Sequence, residues 1–231
     1  MFRNRQHAGF LLARHVWQAI SQDTRFNPRQ LIVVGLPRGG VSVAFEVARM
    51  LGSHLDLIAS KKIGAPEQPE LAVGAVTSDG VVTINDELVR LLCIDEAYIA
   101  SQRQYLIDKT RAQEEYWLKS AGVSDRPTMQ DKQVIIVDDG IATGMTVLAA
   151  IESARHRGAH EVIIATPVMS HGAYMLLKKS CDQIIALHIL FDFAAIGQFY
   201  LDFDQVEDEG VIKAIKQAKE EELKAHDVAV T

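Results

Sequence analysis

Two hydrophobic periods alternate along the chain. "LIVVGL" from Leu31 is an unbroken apolar run of strand length, and "VSVAFEVARML" then sets Val41, Ala44, Phe45, Ala48 and Leu51 at helical spacing. "LDLIAS", Leu55 to Ser60, returns to a strand pattern, so the three segments predict a βαβ unit. Upstream, "AGFLLARHVWQAIS" predicts a helix with Phe10, Ala13, Trp17 and Ile20 on one face. "AVGAV" and "VVTIN" flank "TSDG", where Asp79 and Gly80 supply hairpin-turn chemistry. A long polar-faced helix runs from an Asp95 cap to about Lys119. The second half repeats the alternation as strand "QVIIVD", a helix from about Gly144 to Arg157, strand "EVIIAT", helix "HGAYMLLKKS" and strand "QIIALHI". "KQAKEEELKAHDVAVT" predicts a helix that frays into a solvated tail.

Short apolar strands separated by helices predict an α/β fold, a mainly parallel sheet flanked by helices on both faces. No linker or repeat divides the chain, so residues 1–231 are expected to form a single domain. In such sheets ligands sit beyond the carboxyl ends of the strands.

Composition narrows the partners. The chain has 231 residues and a net charge of -6, which argues against broad electrostatic binding of nucleic acid and makes a small molecule the expected partner. No segment approaches the roughly 20 apolar residues of a membrane span. "MFRNRQHAGF" is not followed by an apolar run of signal length, and a cytoplasmic protein is expected. Cys93 and Cys181 lack metal-ligand spacing, so both read as buried thiols.

Three strand ends carry candidate chemistry. In "GLPRGGVS", Gly39 and Gly40 permit close backbone approach and Arg38 offers a charged fork for phosphate. In "SKKIGAPEQPEL", Lys61 and Lys62 follow a strand and precede a segment whose Gly64, Pro66 and Pro69 disfavour continuous helix or strand. In "VIIVDDGIATGMT", the strand ends on Asp138 and Asp139 before Gly140, Ile141, Ala142, Thr143, Gly144, Met145 and Thr146 lead into a helix. Free helix-start amides and the hydroxyls of Thr143 and Thr146 suit a phosphate. Adjacent carboxylates do not bind anions, but they accept hydrogen bonds from sugar hydroxyls and can order a magnesium ion through water. Isolated acids after a strand commonly cap a helix, "PRGG" commonly turns, and paired lysines commonly face solvent. Their recurrence at strand ends sets these apart. His171 and His188 receive no role, and Phe193, Phe199, Tyr200 and Phe203 read as a local core rather than a base-stacking platform.

"VIIVDDGIATGMT" resembles the phosphoribosyl diphosphate (PRPP) motif of type I phosphoribosyltransferases along its whole length. "GLPRGGVSVAFEVARMLG", "LIASKKIGAPEQPELAVGAV" and "FAAIGQFYLDFDQVEDEGV" resemble an uncharacterised bacterial subgroup of these proteins. The resemblance implies that Asp138 and Asp139 contact the ribose hydroxyls and that the backbone from Ile141 to Thr146 binds the 5′-phosphate. It further implies that Arg38, Gly39 and Gly40 form the pyrophosphate loop and that Lys61 or Lys62 neutralises the departing diphosphate. About Gly64 to Leu71 would be a flexible lid, and roughly residues 1–25 and 190–209 a small hood over the acceptor base. Mg²⁺ would accompany PRPP, with no directly assigned protein ligand, and the protein would be a homodimer. The implied reaction transfers the 5-phosphoribosyl group of PRPP to a nitrogenous base or related acceptor. A PRPP- or nucleotide-sensing regulator of the same fold is the rival, with "ARHRG" and "LKKS" as its basic patches. The chain lacks GxxxxGK[ST] and GxGxxG spacings, which disfavours a P-loop nucleotidase and a dinucleotide dehydrogenase.

Overall fold

The computed structural model describes residues 1–22 and 27–229. The chain runs through α1 (Arg5–Ile20), β1 (Leu31–Gly35), α2 (Gly39–Leu51), β2 (His54–Leu57), β3 (Ser60–Ala65), β4 (Gln68–Thr77) and β5 (Val82–Ile84). It continues through α3 (Asp86–Leu91), α4 (Glu96–Ser120), β6 (Gln133–Val137), α5 (Met145–His156), β7 (Glu161–Ser170), α6 (His171–Leu177), β8 (Gln183–Leu190) and α7 (Asp208–Ala229). Five strands form a wholly parallel sheet in the order β2-β1-β6-β7-β8, and β3, β4 and β5 form a separate small antiparallel sheet.

Because side chains alternate across a strand, each central strand feeds two cores. Ile32, Val34, Val134, Ile136, Val162 and Ile164 pack with Val147, Ala150 and Ile151 of α5 and Leu177 of α6. Leu31, Val33, Ile135, Val137, Ile163 and Ala165 pack with Leu12 and Val16 of α1 and Val43 and Val47 of α2. Burial on both faces explains why these strands read as continuous apolar runs. The small sheet lays Ile63, Val73 and Val76 on Ile107 of α4, while Ala72 and Ala75 let its other face approach Met145 and Ala149 of α5. The start of α5 is thereby wedged between the two sheets.

The β1–α2–β2 and β6–α5–β7 crossovers leave adjacent strands in opposite directions. Right-handed crossovers then put α2 and α5 on opposite faces and open a crevice beyond the carboxyl ends of β1 and β6, the switch point where α/β sheets hold ligands. At the far edge, β2 is guarded by charge: the Leu55 amide donates to Glu222 at 3.3 Å and the Leu57 carbonyl accepts from Arg126 at 2.5 Å. Arg126 also pairs with Asp56 at 3.0 Å and Glu114 at 2.6 Å, and Arg157 reaches Asp56 at 3.1 Å.

Most expected elements are present, including the turn with Gly80 at φ 93° and the Asp95 cap, which accepts from the Ala97 amide at 2.8 Å. Four differ. "LDLIAS" is divided between two sheets, β2 ending at Leu57 and β3 starting at Ser60. α1 leaves Phe10 and Trp17 substantially exposed and buries Ala8, Gly9, Leu12, Ala13, Val16 and Ile20. It crosses α2 so closely that a Cβ on Gly9 would lie 3.0 Å from Glu46 Cβ, and small residues therefore mark its inner face. The segment Gly64 to Leu71 is mostly strand, because Pro69 falls at an irregularity in the β3–β4 ladder where no regular amide donor is needed. α7 starts at Asp208 and stays helical to Ala229; Val230 and Thr231, the end of the expected fraying tail, lie outside the described residues, as do residues 23–25 of the expected hood. The cysteines also depart from expectation: Cys93 is exposed and Cys181 only partly buried, so neither is a fully buried thiol. Among the described residues no helix is long and apolar enough to cross a membrane.

Candidate functional site

Two strand-to-helix loops meet at the switch point. β1 ends at Gly35 and its loop carries Arg38, Gly39 and Gly40; β6 ends at Val137 and is followed directly by Asp138 and Asp139. The Pro37–Arg38 peptide is cis. The fit between the loops is tight: a Cβ on Gly40 would lie 2.8 Å from Asp138 Oδ1. One on Gly39 would overlap the Asp139 carboxylate, 2.7 Å from its Cγ and 2.8 Å from Arg5 Nε. Glycine at both positions follows from the closeness of the acids.

The two acids have different surroundings. Asp139 is buried and receives a hydrogen bond from Arg5 Nε on Oδ2 at 2.6 Å, while its carbonyl accepts from the Tyr200 hydroxyl at 2.6 Å. Asp138 is intermediate in exposure and its Oδ1 accepts from the Asp139 amide at 2.9 Å. Removal of the Asp138 carboxyl from water, and then the neighbouring Asp139 carboxylate, raise it well above the usual carboxyl range. Burial, then Asp139, likewise raises the Tyr200 phenol, which stays a neutral donor at neutral pH.

Beyond the acids the backbone from Gly140 is tied to β7: the Ile141 amide donates to the Val168 carbonyl and the Ser170 amide to the Ile141 carbonyl, both at 2.9 Å. The Ser170 hydroxyl donates to the Ala142 carbonyl at 2.6 Å. Gly144 turns the chain into α5 at φ 82°. Neither α5 nor α2 has a side-chain hydrogen bond at its cap, whereas Asn4, Asn85, Asp95 and Ser170 cap α1, α3, α4 and α6. Both of these uncapped starts open on the crevice, and their amides are the donors an anion would use. Ala142 and Thr143 are exposed, Thr146 is intermediate, and Ile141 and Met145 are buried as anchors.

Arg38 and Lys61 share a cavity of about 300 Å³ with Ser60, Thr110, Gln113, Trp117 and Asp208. Burial, then Lys109 and Arg38, lower the Lys61 ammonium below its ordinary value, while Asp208 in the same cavity opposes the shift. Arg38 Nη1 rests on Glu207 at 3.1 Å and lies 3.8 Å from Asp208. Lys62 alternates to the other face of β3 and pairs with Glu70, so Lys61 is the lysine brought to Arg38. Neither the Arg5 contact with Asp139 nor the Glu207 and Asp208 contacts with Arg38 were anticipated from sequence, and no local motif signals them.

Phe2, Tyr200 and Ala8 form a cluster with Phe193, Phe199 and Phe203, the local core expected of these aromatics. Backbone bonds from the Phe2 amide to Phe199 at 2.7 Å and from the Leu201 amide to Phe2 at 2.8 Å join the early and late segments beside Asp139. His171 stacks on Phe191 and His188 lies against Phe2, away from the acids.

A five-stranded parallel sheet with glycine loops, an acidic pair and an uncapped helix start at its switch point defines an α/β protein of the type I phosphoribosyltransferase kind. Residues 4–204 match the phosphoribosyl transferase domain family, and the chain belongs to it. It is 37% identical over 219 residues to two Mycobacterium tuberculosis proteins, "Putative phosphoribosyl transferase Rv0571c" (strain H37Rv) and "Putative phosphoribosyl transferase MT0597" (strain CDC 1551). These matches cover 94% of this chain and 47% of each relative, so the chain spans about half the length of the curated relatives it matches. The crystal structure of TT1426 from Thermus thermophilus is similar with a TM-score of 0.76 and 36% identity, over 94% of this chain and 98% of that one.

Proposed function

We propose that the protein transfers the 5-phosphoribosyl group of PRPP to a nitrogenous base or related small-molecule acceptor and releases diphosphate. The observation that carries this reading is the meeting of Gly39 and Gly40 with Asp139 and Asp138, which joins an anion loop to a diol-accepting pair at one crevice. The amides from Ala142 to Thr146 would hold the 5′-phosphate, with the Thr143 and Thr146 hydroxyls beside them; the Ile141 amide, expected among these donors, is instead spent on the Val168 carbonyl. Asp138 and the free oxygen of Asp139 would accept from the ribose hydroxyls.

As the anomeric bond to diphosphate breaks, positive charge grows on the ribose and negative charge on the leaving group. The acids favour the first; Arg38 and Lys61, sharing one cavity, favour the second. The donor set fits a magnesium ion held mainly by the ligand and water: Asp138 is partly exposed at the crevice and offers hard carboxylate oxygen. Asp138 and Asp139 would meet it through water, and when bound it supplies charge neutralisation to the diphosphate. Residues from about 1–25 and 190–209, joined where Phe2 bonds to Phe199 and Leu201, are the proposed hood over the acceptor, and about Gly64 to Leu71 the proposed lid. The sensing alternative loses its main basic patch, since Arg155 of "ARHRG" pairs with Asp182 and Arg157 with Asp56.

The test is diphosphate release from PRPP and Mg²⁺ across a panel of purine, pyrimidine and other nitrogen acceptors, with product mass. Release that needs an acceptor and is lost in Asp138→Asn supports transfer. Saturable PRPP binding with no release under any acceptor would overturn it in favour of sensing. Sedimentation of the same sample tests the proposed homodimer.

A further inference from the structure

Arg5 stands 134 positions from Asp139 in sequence, yet its guanidinium is among the most constrained groups near the crevice. Its side chain is only 13% exposed. Nε donates to Asp139 Oδ2 at 2.6 Å, Nη1 donates to the Asp204 carbonyl at 2.7 Å, and the guanidinium carbon lies 3.8 Å from the centre of the Phe203 ring. Phe203 in turn stacks on Tyr200, whose hydroxyl donates to the Asp139 carbonyl. One residue at the start of α1 therefore grips Asp139 directly and, through Phe203 and Tyr200, from a second side. The aromatic face, the carbonyl and the carboxylate require the planar fork of arginine, because an ammonium is a point donor and does not stack.

We propose that Arg5 is a positioning residue of the ribose site: it fixes the Asp139 carboxylate through Oδ2, leaves the other oxygen for a ribose hydroxyl, and ties that acid to the 200–204 segment. This rests on the PRPP reading above. The arrangement also makes the two acids unequal. Asp139 has a fixed cation against Oδ2, whereas Asp138 Oδ1 accepts from the Asp139 amide, so Arg5 holds in place the acid that stands beside Asp138. Without Arg5 a buried carboxylate loses its counter-charge next to a second one, and both the position of Asp139 and the packing of Phe203 are released.

Ribose 5-phosphate serves as a probe for the sugar and phosphate without the diphosphate. In calorimetric titrations, Arg5→Ala should weaken ribose 5-phosphate and Mg²⁺–PRPP by a similar factor, about tenfold or more. Arg5→Lys should fall between Arg5→Ala and the parent. Arg38→Ala should weaken PRPP alone. Because Arg5 is proposed to act through Asp139, Arg5→Ala made in an Asp139→Asn background should cost much less than in the parent. A purely structural arginine would give losses that multiply, and that result overturns the proposal, as does parent-like binding by Arg5→Ala. Should Arg5→Ala fail to fold in a thermal melt, Arg5→Lys takes its place in the cycle with the same criteria. If the parent binds neither probe, the PRPP reading itself fails and this inference falls with it; if the parent binds and only the cycle disagrees, the PRPP reading stands and Arg5 loses its role.

Discussion

Gly39→Ala adds one methyl group at the point where the two loops touch. Its Cβ would stand 2.7 Å from Asp139 Cγ and 2.8 Å from Arg5 Nε, where ordinary contacts begin near 3.4 Å. The Asp139 carboxylate cannot swing freely aside, since Arg5 holds it at 2.6 Å and Tyr200 holds its carbonyl. Either the acid retreats by roughly 1 Å or the β1–α2 loop lifts, and a misplacement of that size costs on the order of 100-fold in rate, about 2.7 kcal/mol in the transition state. Overpacking itself costs about 1–3 kcal/mol of stability, a fall in Tm of roughly 2–12 °C for a chain of this size. Gly52→Ala is the matched control: Gly52 sits at φ 63° with nothing within 4 Å, so alanine there meets backbone strain of about 1–2 kcal/mol without touching the crevice. Steady-state diphosphate release and thermal melts on both variants decide it. Gly39→Ala is expected to lose kcat/KM far beyond its loss of stability, while Gly52→Ala melts lower with kcat/KM intact. Gly39→Ala with parental kcat/KM would refute the claim that the two loops form one site.

Three further outcomes follow from other contacts. Glu207→Gln combined with Asp208→Asn removes the carboxylates that face Arg38; exposed pairs of this kind are worth about 0.2–1 kcal/mol, so PRPP should bind up to about fivefold tighter per pair in calorimetry, and weaker binding would show that these acids assist the ligand. Arg126→Ala leaves Glu114, only 8% exposed, without this cation, while Asp56 keeps Arg157, and urea unfolding should report a loss of about 3 kcal/mol, the low end for a broken buried pair; a loss below about 1 kcal/mol would mean that water replaces the guanidinium. Burial, then Asp182, pushes the Cys181 thiol up to about 11, so its iodoacetamide labelling, followed by peptide mass, should climb about tenfold per pH unit from pH 7 toward that value, and a plateau near pH 9 would contradict the burial argument.

What could be read from sequence was local. The runs at Leu31, Gln133 and Glu161 are buried on both sides, which leaves an unmistakable apolar signature, and the spacing from Asp138 to Thr146 encodes a strand end, two acids and a helix start within a few residues. Lys61 and Lys62 were read as following a strand but lie within β3. Only the alternation of that strand, which sequence spacing across a misplaced boundary did not show, puts Lys61 and not Lys62 in the cavity with Arg38. Arg5, Tyr200 and Glu207 were not legible, because each acts across more than 60 residues of chain and leaves no periodicity behind. The face that spacing marks on α1 is only half buried, Ala13 and Ile20 inside and Phe10 and Trp17 out, because the close crossing with α2 selects small residues such as Ala8, Gly9 and Ala13. The prolines of the β3–β4 hairpin misled in another way: proline excludes a regular ladder position, but an irregular one accepts it.

The central claim is that PRPP binds where the loops after β1 and β6 meet. Hydrogen exchange read by mass spectrometry, with and without saturating PRPP and Mg²⁺, tests it without needing the acceptor. Amides from about 38 to 42 and from about 140 to 147 should slow markedly with ligand, and the phosphate-loop segment alone should slow with ribose 5-phosphate. Saturable binding that protects neither segment, or no binding at millimolar PRPP, would contradict the account.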